Sequence, residues 1–272
     1  MALAQREIRV EMYPLAPRVL EVRSARRITP RMIRVVLGGA DLADFRSDNF
    51  ADHVKLWFPD ERTGEHVMPV VENDRALNFR APGALYRDYT VRRHDPAARE
   101  LTVDFVAHDH GPAGRWALRA EPGLRLGVLG PRGTEHVPAD YDYHVLVADE
   151  TALPAAARRL EELPEGARVH AFFEVADAAE ESYVEAREGV SITWLHRGDA
   201  APGDSGLLER AVRGFDFPEG EGFVWVAGEA TALRPIRRHL KELGFVKDRT
   251  MAVDGYWRRG TANLDHHAAD DE

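Results

Sequence analysis

The pattern of apolar residues changes near Ala139, and this change constrains the fold more than any other feature of the chain. Before it, short runs of alternating apolar and polar residues are separated by glycine and proline, which is typical of antiparallel strands. After it, apolar strands alternate with helical runs, which predicts βαβ units on a parallel sheet. We therefore expect an N-terminal arm at 1–17, a β domain at 18–138, an α/β domain at 139–260 and an acidic disordered tail at 261–272.

The first half contains many short predicted strands and one helical segment, which favours a small closed antiparallel β-barrel. The predicted strands are two within 18–39, joined by a turn at Thr29-Pro30, and then 53–59, 87–92, 100–107 and 125–130. In the second half, the predicted strands are 143–148, 169–175, 190–195, 223–227 and about 251–253, with helices over 154–163, 205–212 and 232–243.

Composition excludes several classes of function. The formal net charge of −10 argues against general binding to nucleic acid or to an acidic membrane surface. The absence of cysteine excludes disulfides, a thiolate nucleophile and a cysteine-ligated iron–sulfur cluster. No apolar run is long enough to span a bilayer, and the first residues lack a signal-peptide core, so we expect a cytoplasmic protein.

The predicted strand at 87–92 carries an unusual set of side chains. Alternation places Arg87, Tyr89 and Val91 on one face and Asp88, Thr90 and Arg92 on the other. The tyrosine ring suits stacking on a flat ligand, the Arg87 guanidinium suits a phosphate, and the Thr90 hydroxyl or its backbone N–H suits a ring nitrogen. An edge strand with a solvated charged face is the alternative.

A short helix is predicted from about Pro112, because proline is favoured in the first helical turn, where its missing N–H would have no partner. The free N–H groups at such an end can bind a phosphate. An ordinary crossover helix at one end of the barrel would need no ligand. His108 and His110 beside it can belong to a metal site or to a hydrogen-bonding loop, and no third ligand is close in sequence.

Two turns in the second half repeat one pattern. Asp149-Glu150-Thr151-Ala152 and Gly228-Glu229-Ala230-Thr231 each follow an apolar strand and precede a helix with paired arginines. Turns at the carboxyl ends of parallel strands would direct two helix N-termini into one crevice, where open α/β sheets bind dinucleotides. Alternatively, all βα units look alike, and neither turn carries a full G-x-G-x-x-G.

The second strand of this half ends in Phe173-Glu174-Val175 and is followed by the acidic residues Asp177, Glu180 and Glu181. An acid in this place favours a free ribose 2′-hydroxyl, so we expect NADH to serve at least as well as NADPH. The same acids can simply form a solvated helix face. A small protein electron donor in place of a nicotinamide also stays possible.

Arg87-x-Tyr89-Thr90 resembles the flavin motif of the ferredoxin reductase-like superfamily. Together with further motifs it resembles the siderophore-interacting proteins, a family of ferric-siderophore reductases, from about residue 18 to 260. The further motifs are Lys55, Gly111-Pro112-Ala113, Asp149-Glu150-Thr151-Ala152, Gly228-Glu229 and Gly255-Tyr256-Trp257-Arg258.

The resemblance implies an FAD-dependent enzyme that uses NADH or NADPH to reduce siderophore-bound Fe(III), with no catalytic side chain and no resident metal. The cofactor-binding residues it implies are Arg87, Tyr89, Thr90, Val91, Asp104, Val106, His108, Gly111, Pro112, Ala113, Trp116, Asp149, Glu150, Thr151, Ala152, Gly228 and Glu229. Two alternatives remain: a flavin or ferredoxin-type reductase that passes electrons to a protein partner, and a non-enzymatic siderophore-binding module.

Three basic residues in separate motifs are candidates for binding the anionic ferric siderophore. Lys55 lies in a strand, Arg132 in the turn after the last barrel strand, and Arg258 in the aromatic tail. On a protein with a net charge of −10, a trianionic chelate needs a local concentration of positive charge. Each residue taken singly is equally consistent with a solvated surface.

Overall fold

The structure, a computed structural model, describes residues 6–262. Within this range the chain forms two compact units. The N-terminal unit is Val10–His136, and the C-terminal unit comprises residues 137–262 together with residues 6–9. Most of the predicted tail, residues 263–272, lies outside the described residues.

The N-terminal unit is built from antiparallel strands, as the alternating sequence predicts. Its strands are β1 Arg9–Met12, β2 Pro17–Thr29, β3 Met32–Gly38, β4 His53–Phe58, β5 Val71–Glu72, β6 Arg75–Ala76, β7 Leu85–Thr90, β8 Arg93–Asp95, β9 Glu100–Val106, β10 Arg125–Leu129 and β11 Gly133–His136. In the described part of the chain, the main sheet has seven strands in the order β7-β4-β10-β2-β3-β9-β8. β1, which lies in the segment predicted as an arm, pairs with β11, and β5 pairs with β6.

This curled antiparallel sheet agrees with the predicted β domain, but in residues 6–262 hydrogen bonds do not close it into a complete barrel. Among the described residues, no ladder joins the end strands β7 and β8. Only Val91 and Arg92 separate the last residue of β7, Thr90, from the first residue of β8, Arg93, so these two strand ends lie within about 11 Å of each other. In a flat sheet of seven strands, the two end strands would be about 29 Å apart, so the sheet must curl. Val91 N bonds to Asp52 O and Arg92 N to Thr102 O, so a bend in one chain segment joins the edges where a barrel would have a continuous ladder.

The helix predicted from Pro112 is confirmed as α1, Gly111–Leu118. Its buried residues pack into the interior of the curled sheet with Phe58 and Phe105. The ring centroid of Trp116 lies 5.6 Å from that of Phe58 and 5.8 Å from that of Phe105. These contacts hold the start of α1 beside the end of β9, which positions the loop between them.

The C-terminal unit has a parallel sheet with helices, also as predicted. Its strands are β12 Tyr143–Ala148, β13 Val169–Val175, β14 Val190–His196, β15 Gly222–Glu229 and β16 Met251–Trp257, and its helices are α2 Leu153–Glu162, α3 Leu207–Arg213 and α4 Ala230–Glu242. The described strands follow the order β14-β13-β12-β15-β16. Every residue of β12 and β15 is buried, as in the centre of a sheet covered on both faces. No helix in residues 6–262 is long and apolar enough to cross a membrane.

Candidate functional site

The strand with the flavin-like motif, β7, lies at one edge of its sheet and pairs with β4. Tyr89 is opposite Val54 and Arg87 is opposite Leu56, so both side chains share the face of the sheet that builds the core. The Tyr89 ring centroid is 4.3 Å from that of Phe105. Burial raises the pKa of Tyr89 well above its ordinary value, so its phenol stays neutral at physiological pH.

Lys55 lies on the opposite face of the same strand pair. Its Nζ donates to both carboxylate oxygens of Asp88, at 2.6 and 2.8 Å. The ammonium is also 5.7 Å from the Tyr86 ring centroid and 6.0 Å from that of Phe79. These two rings stack on the buried Trp57 indole. The two faces of the β4–β7 pair therefore carry different side chains. Arg87 and Tyr89 lie on one face, and the Lys55–Asp88 ion pair lies on the other.

The N-terminus of α1 is suited to an anion. No side chain caps its first turn, and Gly111 precedes Pro112 with a φ of 69°, which favours glycine. Nothing lies within 4 Å of the place where a Gly111 side chain would begin, so the backbone there is open to approach. The first-turn N–H groups and the positive end of the helix dipole can therefore meet a phosphate.

His108 packs against this helix rather than into a metal cluster. A Cβ on Gly114 would lie 2.4 Å from the His108 ring, so the absence of a side chain at Gly114 allows the contact. Burial lowers the pKa of His108, and its buried Nδ1 has no hydrogen-bond partner in the described structure. The rings of His108 and His110 stack with centroids 5.3 Å apart. Among residues 6–262, no group of three potential ligands forms a metal site.

Several residues implied as cofactor ligands have their side chains inside the N-terminal unit. Val91, Ala113 and Trp116 belong to the hydrophobic core, and Thr90 is buried. Asp104 is buried as well, and its two oxygens accept hydrogen bonds from the Arg34 guanidinium at 2.8 and 2.7 Å. Val106 ends β9 and is partly exposed. Of these side chains, Val91, Ala113 and Trp116 pack in the same hydrophobic core as Tyr89, whereas Asp104 lies on the other face of β9, where it is paired with Arg34.

In the C-terminal unit, the first repeated turn is organised around Asp149. Its carboxylate accepts hydrogen bonds from the Thr151 backbone N–H at 2.9 Å, the Thr151 hydroxyl at 2.6 Å and the Trp257 indole N–H at 2.8 Å. A Cβ on Gly228 would lie 2.6 Å from an Asp149 oxygen. The two repeated turns and the segment Gly255-Tyr256-Trp257-Arg258 therefore meet at the carboxyl end of the sheet. Burial raises the pKa of Asp149, while these hydrogen bonds oppose the rise.

The glutamates of the two turns have structural partners. Glu229 caps α4 by accepting from Ala232 N at 2.7 Å, and its other oxygen accepts from Arg259 N at 3.1 Å. Glu150 forms a buried ion pair with Arg197 at 2.9 Å. Of the two helix N-termini predicted to face an anion, the one at α4 therefore carries a carboxylate, whereas α2, with Ala152 at its N-cap position, has no side-chain cap.

The acids that suggested NADH are engaged within the C-terminal unit. Glu174 is buried and accepts from the Ser205 hydroxyl at 2.7 Å, and burial raises its pKa. Asp177 accepts from Ala179 N at 2.9 Å, at the start of a 3-10 helix. Glu181 lies 2.8 Å from the His196 ring nitrogen. An acidic ribose contact from these residues would require the exchange of an existing partner.

The three basic candidates differ in their partners. Lys55 lies opposite Leu129 in the β4–β10 ladder, which brings it near the turn that carries Arg132. Arg132 donates to Asp74 at 2.6 Å and to Tyr13 O at 3.0 Å. Arg258 belongs to the C-terminal unit. Its buried Nε has no hydrogen-bond partner among the described residues.

Comparison with known proteins identifies the family. Residues 21–135 match the family described as siderophore-interacting FAD-binding domain, and residues 141–260 match the family described as siderophore-interacting protein. The chain belongs to the siderophore-interacting protein family. The residues that match the first profile contain β7 and α1, and those that match the second contain both repeated turns.

Relatives over nearly the full length of this siderophore-interacting protein support the assignment. It is 32% identical over 263 residues to the ferric vibriobactin reductase ViuB of Vibrio cholerae, covering 94% of this chain and 95% of the relative. It is 36% identical over 243 residues to the NADPH-dependent ferric-chelate reductase of Escherichia coli, covering 88% and 92%.

Solved structures agree with the fold. A siderophore utilization protein from T. fusca is 68% identical, with a TM-score of 0.94, covering 96% of this chain and 100% of that one. A ferredoxin NADP+ reductase from Neisseria gonorrhoeae, at 12% identity, has a TM-score of 0.59 over 90% of this chain and 100% of that one, which shows a shared fold. The predicted ferredoxin reductase-like architecture is confirmed.

Some contacts were not predicted from the sequence. The sequence predicted only that Asp88 lies on the strand face opposite Tyr89. Its ion pair with Lys55 depends on the β4–β7 register. The contact of Trp257 with Asp149 joins residues 108 positions apart. The alternation of β4 and β7 is a signal that could have placed Lys55 and Asp88 on one face, had their register been known.

Proposed function

We propose that this siderophore-interacting protein is an FAD-dependent reductase that takes electrons from NADH or NADPH and reduces the Fe(III) of a bound ferric siderophore to Fe(II). The observation that carries the proposal is the arrangement within the FAD-binding domain of an edge strand bearing Arg87 and Tyr89 and a helix whose first turn is uncapped. The names of the reductases from Vibrio cholerae and Escherichia coli support the reaction class.

The residues of the N-terminal unit fit a flavin dinucleotide. Tyr89 offers a neutral ring held by Phe105, and the edge of β7 offers backbone groups. The open Gly111 backbone and the first-turn N–H groups of α1 offer a place for the pyrophosphate, with Arg87 as a second charged contact. When bound, FAD accepts a hydride and passes electrons on singly, as a one-electron Fe(III) acceptor requires.

The chemistry needs no nucleophile or base from the protein. Fe(III) is a hard ion held by the oxygen donors of catecholate and hydroxamate chelators, and Fe(II) is held more weakly by them, so reduction releases the iron. The work of the side chains is to orient the cofactor and to attract the chelate. We assign chelate binding to Lys55, Arg132 and Arg258. Because the reaction consumes NAD(P)H, we place it in the cytoplasm.

The cofactor assignment is tested with Arg87→Ala. Loss of a hydrogen bond to a charged phosphate costs about 1.5–3 kcal/mol, or roughly ten- to a hundredfold in FAD affinity. The purified variant should be largely free of flavin absorbance after dialysis, whereas Arg93→Ala, an exposed arginine of β8 paired with Asp95, should keep its flavin. Full retention of flavin by Arg87→Ala would show that β7 is not the cradle.

The substrate assignment is tested by reversing the charge of Lys55, Arg132 and Arg258 together. We expect a higher KM for an anionic ferric catecholate, more so at low salt, with normal flavin content and normal reduction by NAD(P)H. A control with Arg27, Arg93 and Arg213 reversed carries the same change in net charge. Unchanged chelate affinity with flavin still bound would favour a reductase that passes electrons to a protein partner. A purified wild-type protein without flavin bands would favour a non-enzymatic siderophore-binding module.

A further inference from the structure

The Lys55–Asp88 pair is built into the sheet rather than formed by chance at the surface. The two residues are directly opposite each other in the β4–β7 ladder, so the backbone register sets their side chains together. Their side chains are only 29% and 20% exposed. The Tyr86 and Phe79 rings flank the ammonium. Partial burial reduces solvent screening, so these two charges interact more strongly than a fully exposed pair would.

This pairing has a consequence for anion binding. A lysine ammonium has three N–H donors, and the two oxygens of Asp88 hold it at 2.6 and 2.8 Å. The pair as a whole is neutral, and an approaching anion meets the Asp88 charge as well as that of Lys55. The Arg132–Asp74 pair differs, because its side chains are 45% and 49% exposed and water weakens the interaction.

We propose that Asp88 is a specificity-determining residue of the ferric-siderophore site, acting as an internal competitor for Lys55. The inference rests on the proposed function, because it concerns the same chelate. A multiply charged ferric chelate displaces the Asp88 carboxylate from the ammonium, whereas a singly charged small anion such as acetate or chloride does not. Asp88 thereby weakens the binding of highly charged chelates and narrows their advantage over uncharged chelates of the same shape.

The test measures two tripodal Fe(III) chelates of similar size, a trianionic tris-catecholate and an uncharged tris-hydroxamate, in the flavin-loaded protein. Asp88→Asn keeps the shape of the side chain and removes its charge. We expect about tenfold tighter binding of the trianionic chelate, equivalent to about 1.4 kcal/mol, and a matching fall in KM with kcat and flavin content unchanged. Binding of the uncharged chelate should not change. The gain should shrink at high salt.

Matched variants separate this effect from a general change in charge or fold. Glu209→Gln removes one negative charge from an exposed pair with Arg213 in the C-terminal unit and should leave both chelates unaffected. Asp74→Asn should change the affinity for the trianionic chelate only weakly, because the Arg132–Asp74 pair is exposed to water. In a Lys55→Met background, Asp88→Asn should have a smaller effect on the trianionic chelate, because it then relieves only direct repulsion by Asp88 and no longer frees Lys55 from competition. Asp88→Thr, which suits a strand, gives a second test if the asparagine variant folds poorly.

Several results would overturn the inference. Weaker binding of the trianionic chelate by both Asp88 variants would show that Asp88 orients Lys55 instead of competing for it. An equal increase in affinity for both chelates, or the same increase in Glu209→Gln, would show that the local charge of Asp88 does not cause the effect. If the wild-type protein binds and reduces the chelates but Asp88→Asn leaves their affinities unchanged, only this inference fails. If the wild-type protein binds neither chelate, the proposed function fails with it.

Discussion

A buried histidine in the C-terminal unit should make its stability depend on pH in a specific way. His144, in β12, is fully buried, and its Nε2 lies 3.2 Å from Ala139 O. A carbonyl only accepts hydrogen bonds, so Nε2 carries the proton, and the buried Nδ1 has no hydrogen-bond partner in the described structure. Burial, followed by the positive charge of Arg159, lowers the pKa of His144 from 6.5 to about 4.

The direction of the effect follows from the two pKa values. The unfolded chain binds a proton at this histidine below about pH 6.5, whereas the folded protein does so only below about pH 4. Between these values the unfolded state holds more protons, so the free energy of unfolding falls as the pH falls. At about 1.4 kcal/mol per pKa unit, His144 accounts for a loss of about 3 kcal/mol between neutral pH and pH 4.

The perturbation is His144→Phe, which keeps a ring in the core and removes the titration. At pH 7 the free energy of unfolding of the variant should be about 1 kcal/mol lower than that of the wild type, because one hydrogen bond is missing. When the pH falls to 4.5, the free energy of unfolding should decrease less in the variant than in the wild type. Because the chain has two units, the assay is hydrogen exchange of β12 and β15 peptides in urea at both pH values. The exposed His196→Phe is the control. An equal loss of stability in wild type and His144→Phe would refute the reasoning.

Three further outcomes are expected. Gly114→Ala should reduce flavin retention severalfold, because its Cβ would lie 2.4 Å from the His108 ring and displace the start of α1. The ratio of flavin to protein absorbance measures this retention, and a normal ratio would show that α1 does not bind the cofactor. Asp149→Ala should lower the free energy of unfolding by about 1–3 kcal/mol, because the Trp257 N–H loses its acceptor, and Asp149→Asn should lose less in the same urea titration. NADH should support turnover at least as well as NADPH, and a higher kcat/KM for NADPH would show that the acids after β13 do not favour the unphosphorylated ribose.

The sequence by itself determined the class of each half of the chain. The alternation before Ala139 and the strand–helix alternation after it are local properties, visible within a few residues, and both sheets follow them. The ordered motifs also indicated the family, because each is a short contiguous segment. The helix at Pro112 was predictable for the same reason, since its start depends on the nearest residues.

Tertiary structure decided which side chains meet. Lys55 and Asp88 are 33 positions apart, and only the β4–β7 register makes them partners. Tertiary packing also buried Val91 and Trp116 in the core and Asp104 against Arg34, and strand order left a two-residue bend between β7 and β8 in place of a ladder. Local pattern specifies the faces of one strand, but which strand lies beside it, and in what register, depends on packing among segments far apart in the chain.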